Sequence, residues 1–236
     1  MIEEFATVYN PETERLDRIN DSLSLIQRRD GFLFGTDSVA LCDFAMKCLG
    51  SKAKKYRRAI DLGTGSAVIP LILASRGLAE HFTALELQPI YADIARRNAS
   101  LNALESRIAV AEGDIRASER WKPSETIYDL VVSNPPYMKR DAGLISPTAH
   151  RDIARREICC DIRDVCRCAG ACLGTGGDFI IVHRADRLTS LICALREYSL
   201  EPKTITLQVP NKDKPASIVL VHARKDSGEE LRVWVE

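Results

Sequence analysis

The chain predicts an α/β fold: one twisted, mostly parallel sheet of seven strands, helices on both faces and an antiparallel hairpin at one edge. Three observations carry this. From about residue 58 onward, short apolar β-branched runs alternate with segments of helical period, the pattern of strands covered by helices. The first of these runs ends in a glycine turn, Gly63-Thr64-Gly65, that opens a helix. The last two runs, Thr204 to Val209 and Ser217 to His222, are joined only by Pro210 to Pro215, so they pair antiparallel. Composition agrees: 236 residues, 45% hydrophobic and 28% charged, describe a soluble chain with one full core. A net charge of zero gives no whole-molecule attraction to nucleic acid and leaves only a local patch as a means of binding it. No apolar run approaches membrane-spanning length, and Met1 to Phe5 lack the basic and apolar regions of a secretory signal. The expectation is a cytoplasmic protein without a membrane span.

One compact unit is expected, in two parts. Residues 1–50 hold an arm, a hairpin and a helix that cover the ligand site. Residues 51–236 hold the main domain. Residues 1 to about 20 read as a loose polar arm. Leu23 to Gln27 alternates as a strand, Arg28-Arg29-Asp30-Gly31 turns, and Phe32-Leu33-Phe34 returns. Thr36 or Asp37 then caps a helix to about Leu49. The basic run Lys52 to Arg58 reads as a solvated helix end and loop at the start of the first central strand, with a phosphate-contacting patch as the alternative.

Strands follow at Ala59–Leu62, Phe82–Leu87, Ile108–Glu112 and Asp129–Ser133, with helices from Ala67 to about Leu78 and from Pro89 to about Ala103. Pro70 and Pro89 sit in first turns, where proline is tolerated. A linker from Lys139 leads to a long helix, Arg151 to Leu173, stopped by Gly174 to Gly177. Phe179–Val182 is the fifth strand, and Asp186 to Tyr198 the next helix. Five of the eight cysteines crowd between Cys159 and Cys172 without the paired C-x2-C spacing of a metal site. They read as reduced, buried small hydrophobes, and no metal is expected.

The candidate chemistry sits at strand ends. The strand Asp129 to Ser133 stops in Asn134-Pro135-Pro136-Tyr137, because proline cannot donate to a ladder and holds its predecessor extended. Asn134 offers an amide oxygen, Pro135 a carbonyl and Tyr137 a flat ring. Two fixed acceptors and a stacking surface suit a planar substrate with an NH2 group. The glycine turn lets a ligand approach the backbone, but Val68 stands where a dinucleotide fingerprint has glycine or alanine. Asp61 before the turn disfavours a pyrophosphate and suits a cationic tail. Glu86 at the second strand end can take ribose hydroxyls, and Asp114 after the third can meet an adenine amine. Three acids in register with a glycine turn describe a pocket for S-adenosylmethionine.

On these residues the chain resembles the class I S-adenosylmethionine-dependent methyltransferases, with their Rossmann-like fold, over residues 30–224. Asp61-Leu62-Gly63-Thr64-Gly65-Ser66-Ala67 is similar to their first motif, with Ala67 where a third glycine is usual. Asn134-Pro135-Pro136-Tyr137 is similar to the motif of enzymes that methylate planar nitrogens. Arg29 to Leu41, containing Phe34-Gly35-Thr36-Asp37, resembles the entry segment of the bacterial tRNA(Val) adenine-N6 methyltransferases, whose target is adenine 37 beside the anticodon. Ile153 to Glu157 resembles that family as well, with Arg156 where histidine is common.

The resemblance implies Asn134, Pro135 and Tyr137 as the catalytic residues. It implies a cofactor lining of Phe34, Thr36, Asp37, Asp61, Gly63, Thr64, Gly65, Glu86, Leu87, Asp114, Ile115 and Asn134. Substrate contacts would come from Pro136, Tyr137, Lys139, Arg140, Arg151 and Arg155. The expected partner is RNA, of the tRNA class, and the chain acts as a monomer or homodimer. The rivals are an rRNA guanine-N2 methyltransferase, a release-factor glutamine methyltransferase, which usually carries a helical N-terminal domain that this chain has too few residues to hold, and a non-catalytic RNA-binding module of the same fold.

Overall fold

The computed structural model describes residues 9–31, 33–50, 56–118, 127–135, 160–211 and 213–236. The expected substrate residues Pro136, Tyr137, Lys139, Arg140, Arg151 and Arg155 lie outside them, as do Arg156, Cys159 and the first part of the expected long helix.

The chain enters through a small two-stranded sheet, β1 (Glu14–Arg18) against β2 (Ser24–Arg28). This corrects two expectations. Residues 14–18 are not loose, and the strand after Leu23 pairs backward rather than with Leu33 and Phe34. The cause is local. Asn20 Oδ1 accepts the N–H groups of Ser22 and Leu23, both at 2.9 Å, and so builds the turn ahead of the Asp30-Gly31 pair. Gly31 has a packing reason instead: a Cβ there would stand 2.4 Å from the Tyr91 hydroxyl.

Helix α1 (Thr36–Leu49) follows. Its N-cap is Gly35, with no side-chain hydrogen bond, and not Thr36 or Asp37 as expected. Strands β3 (Tyr56–Leu62), β4 (Ala79–Glu86), β5 (Ile108–Glu112), β6 (Tyr128–Ser133) and β7 (Leu173–Arg184) then run parallel to one another. Helices α2 (Val68–Ser75) and α3 (Pro89–Leu101) lie between β3, β4 and β5, and α4 (Ile162–Cys172) and α5 (Leu188–Glu197) flank β7. Strand β8 (Leu200–Gln208) is antiparallel to β9 (Ile218–Lys225), which is antiparallel to β7. The expected long helix does not run through Cys160 and Asp161, because Asp161 caps α4; α4 ends at Cys172, as expected, and Gly174 to Gly177 open β7.

The main sheet runs β10-β8-β9-β7-β6-β3-β4-β5. It therefore has eight strands among the described residues, one more than expected, and β8 with β9 is not its edge. The added strand is β10 (Arg232–Val235), parallel to β8. It is four residues long and exposed throughout, so it carries no burial pattern in sequence. Apolar residues of α1, α2 and β2 pack on one face of the sheet, and those of α4 and α5 on the other. Cys42, Cys166, Cys168 and Cys172 are buried in these layers, and burial pushes the Cys42 and Cys166 thiols well above their ordinary range. Cys193 is exposed.

Arg57 and Arg58, the described part of the basic run, are exposed at the start of β3, and their N–H groups donate to Asp129 Oδ2 at 2.9 and 3.0 Å. They stand at the end of the sheet opposite the strand-end acids. No helix among the described residues is long and apolar enough to cross a membrane.

Candidate active site

Parallel strands β3, β4, β5 and β6 end on one side of the sheet, and their last residues bring the expected groups together. After β3 the chain makes two left-handed steps, Gly63 at φ 77° and Gly65 at φ 56°. The Gly63 and Thr64 N–H groups both donate to Leu85 O on β4, at 3.0 and 2.9 Å, which anchors the loop to the neighbouring strand. A Cβ on Gly65 would meet nothing within 4 Å, so this turn faces open space. Ile115 is the nearest side chain to a Cβ on Gly63, at 4.0 Å. Ala67, at the position of the usual third glycine, also takes a left-handed conformation, φ 64°, as the N-cap of α2.

Asp61 is fully buried. Its Oδ2 accepts the Thr64 hydroxyl at 2.6 Å, and its Oδ1 has no hydrogen-bond partner. Burial raises its carboxyl to about 7, against which the Thr64 hydrogen bond works only in part. Glu86 is buried as well, and its two oxygens accept the N–H groups of Gly65 at 2.8 Å and Gln88 at 3.0 Å. Burial again raises its carboxyl above the usual range. Two buried acids thus flank the glycine turn with no basic side chain bonded to either among the described residues.

Asp114 follows β5, and Gly113 N–H donates to Glu86 O at 2.9 Å. Its carboxylate is gripped by Arg116, whose Nη2 reaches Oδ2 at 2.6 Å. This partner was not anticipated from sequence. Leu87 lies between Glu86 and Gln88 and is partly exposed.

Asn134 and Pro135 end β6. Ser133 Oγ donates to Leu62 O at 2.8 Å and ties this end to β3. Asn134 Nδ2 donates to the buried Ser38 hydroxyl at 3.0 Å. That contact brings the first turn of α1, with Thr36 and Asp37, beside the Asn-Pro loop. Phe34 leads into the same turn and donates its N–H to Gln27 Oε1 at 2.7 Å.

Sequence reasoning missed two supporting residues. One is Ser38, which holds Asn134. The other is Asn98 on α3, fully buried. Its Oδ1 accepts Ile26 N–H at 2.7 Å, and its Nδ2 donates to Ile26 O at 3.0 Å and Ser66 O at 2.9 Å. Asn98 therefore bolts the glycine turn to β2. The only sequence signal is an amide on the otherwise apolar side of α3.

The geometry agrees with what the chain is similar to. A protein from Porphyromonas gingivalis, a tRNA1(Val) (adenine(37)-N6)-methyltransferase, is 32% identical over 174 residues, 73% of this chain and 66% of that protein. Proteins of the same name from Aeromonas hydrophila (30% identical; 79% of this chain, 74% of that one) and Klebsiella pneumoniae (31%; 85% and 84%) align over more of their length. The chain belongs to this methyltransferase family. The family model for ribosomal protein L11 methyltransferase (PrmA) matches residues 6–135, ending inside the Asn-Pro loop. That match covers the glycine turn and the strand-end acids and stops before the expected substrate residues. Among solved structures, a predicted O-methyltransferase from Agrobacterium tumefaciens superimposes with TM-score 0.63 and 27% identity, over 84% of this chain and 85% of that one. A T. thermophilus 16S rRNA N2 guanine methyltransferase, solved with AdoMet and guanosine, gives TM-score 0.63 at 19% identity, over 90% of this chain and 50% of that one, and so shares the fold.

Proposed function

We propose that the chain transfers the methyl group of S-adenosylmethionine to N6 of an adenine in RNA, with adenine 37 of tRNA(Val) as its target. The observation that carries this is Asn134 at the end of β6, held at 3.0 Å by Ser38 across from the buried strand-end acids. Because Nδ2 donates to Ser38, the other amide atom is Oδ1, an acceptor. The Pro135 carbonyl is a second acceptor one residue on.

S-adenosylmethionine, when bound, supplies an electrophilic methyl group on a sulfonium. The protein's part is placement. Asp61, its Oδ1 without a partner, suits the cationic amino-acid end. Glu86, which accepts the N–H groups of Gly65 and Gln88, suits ribose hydroxyls as well. Asp114 accepts the adenine amine of the cofactor once it shares its carboxylate with Arg116. The hairpin and α1 close over this pocket through Phe34, Thr36 and Asp37.

The target amine is a weak nucleophile, because its lone pair is spread into the ring. Accepting both its hydrogens at Asn134 Oδ1 and Pro135 O favours a pyramidal nitrogen. Those bonds strengthen as positive charge develops, so they act on the transition state. Tyr137 stacks on the base. An unpaired loop adenine leaves its stack more cheaply than one in a duplex.

The test is product identity with unmodified tRNA and labelled S-adenosylmethionine. The expected label is in N6-methyladenosine at position 37. Label in N2-methylguanosine, or only in protein, overturns the substrate. Asn134→Ala is expected to lower kcat at least about 100-fold while cofactor affinity, by calorimetry, stays within about twofold; near-normal turnover would remove Asn134 from the chemistry.

A further inference from the structure

Away from the strand-end site the protein has a cavity, about 350 Å³ in volume. It lies on the α1 face, beside the outer strands. Thr206 of β8, His222 of β9 and Trp234 of β10 line it, with Phe44 and Lys47 of α1 opposite. The ladders explain the grouping. Trp234 lies beside Thr206 and Arg232 beside Thr204, while Thr204 pairs with His222, so alternation puts these side chains on one face.

Three features point to a ligand. First, Trp234 is 53% exposed and offers a ring surface, with Lys47 Nζ 6.0 Å from its centroid. Second, Lys47, Lys203 and Arg232 outnumber the one lining carboxylate, Glu230, in a molecule whose net charge is zero. Lys47 pairs with Glu236 and Arg232 with Glu230, but these carboxylates are largely exposed, and such pairs exchange easily for a phosphate. Third, the polar floor is built. His222, 7% exposed, is fixed through Nε2 by Asp178 at 2.7 Å, and Asp178 also accepts the Tyr56 hydroxyl at 2.5 Å. Thr206 is 1% exposed and its hydroxyl oxygen has no hydrogen-bond partner.

We propose that this cavity is a second ligand site, for a nucleotide: the ring against Trp234, the phosphate among Lys47, Lys203 and Arg232, and a polar edge at Thr206 and His222. The nucleotide comes either from the RNA bound at the strand-end site or from free mononucleotide. The first source rests on the RNA-methyltransferase reading. It is sterically reasonable, since Ser38 and Lys47 are nine residues apart on α1, roughly 14 Å. That is well inside one helical turn of nucleic acid, about 34 Å.

The test uses Trp121→Phe, which leaves Trp234 as the sole tryptophan. AMP, GMP, CMP, UMP and inorganic phosphate are titrated against its fluorescence. Saturable quenching by at least one mononucleotide is expected, with phosphate at least about tenfold weaker. Thr206→Val and Arg232→Ala should each weaken binding at least about fivefold, and Thr206→Ser should restore it. The Arg232 side chain is 69% exposed, so its loss does not threaten the fold. If Arg232→Ala also raises KM for tRNA with kcat unchanged, the nucleotide belongs to the RNA; an unchanged KM assigns the free nucleotide. No saturable quenching, or quenching indifferent to the variants, overturns the site. Methylation of tRNA by the same Trp121→Phe protein is read separately, so the failure of the cavity leaves the activity standing.

Discussion

Two side chains at the site carry more than their size suggests. The Ser38 hydroxyl accepts Asn134 Nδ2 and thereby decides which way the amide faces. Ser38→Ala is expected to lower kcat about tenfold with little change in cofactor affinity, and Ser38→Thr to recover most of it; equal kcat in all three proteins would make the contact incidental. Asp61 acts through its protonation. Its carboxyl is raised to about 7, from an ordinary 3.8, because the group is buried. The folded, ligand-free protein thus holds a proton that the unfolded chain releases above about pH 4. Stability from this group is complete below pH 4 and is lost as pH rises to 7. Cofactor binding runs the other way, since a cationic tail selects the ionised form. Between pH 6 and pH 8 the affinity for S-adenosylmethionine is expected to rise about tenfold. Calorimetry across that range, repeated on Asp61→Asn, checks this: the variant should bind weakly and with a flat profile. A flat profile in the unaltered protein sinks the assignment.

At the scale of elements, the legible parts were those whose signals are local. Pro89 opens α3 at its first residue, and the alternation of β3, β4 and β5 with α2 and α3 follows burial within each segment. Asp61, Glu86 and Asp114 were readable as a set because parallel strands end on one side. What failed was non-local. Strand β10 has no buried face of its own, so nothing in its four residues demanded a sheet. The pairing of β2 with β1 hung on the Asn20 side chain and on Glu14 meeting Arg97 Nη2 at 2.6 Å across 83 residues. Asn98 shows the same limit, because an amide on α3 gains its meaning only when β2 lies over it. Removing it strands the Ile26 N–H and C=O groups and frees the Ser66 carbonyl. Asn98→Ala should therefore cost about 2–4 kcal/mol of stability in urea and also weaken cofactor binding through the glycine turn. A loss under about 1 kcal/mol would mean that the hairpin holds itself.

At the scale of the whole molecule, a net charge of zero has to be reconciled with the proposed RNA substrate. Much of the charge is spent within the chain, in pairs such as Arg76–Asp43, Arg96–Glu112 and Arg196–Glu229. Long-range attraction is then weak, and recognition has to come from shape, from the target base and from a few local cations. Each phosphate neutralised contributes about 0.7 to 0.9 to the dependence of log affinity on log salt. Three to five such contacts, a number that leaves room for the cavity beside β10, give a slope of about −2 to −4.5. Anisotropy with tRNA from 50 to 300 mM salt measures it. Arg232→Ala should flatten the slope by about one contact if the cavity holds an RNA phosphate. A slope steeper than about −6 would require a continuous basic surface, which this neutral, internally paired charge distribution does not supply.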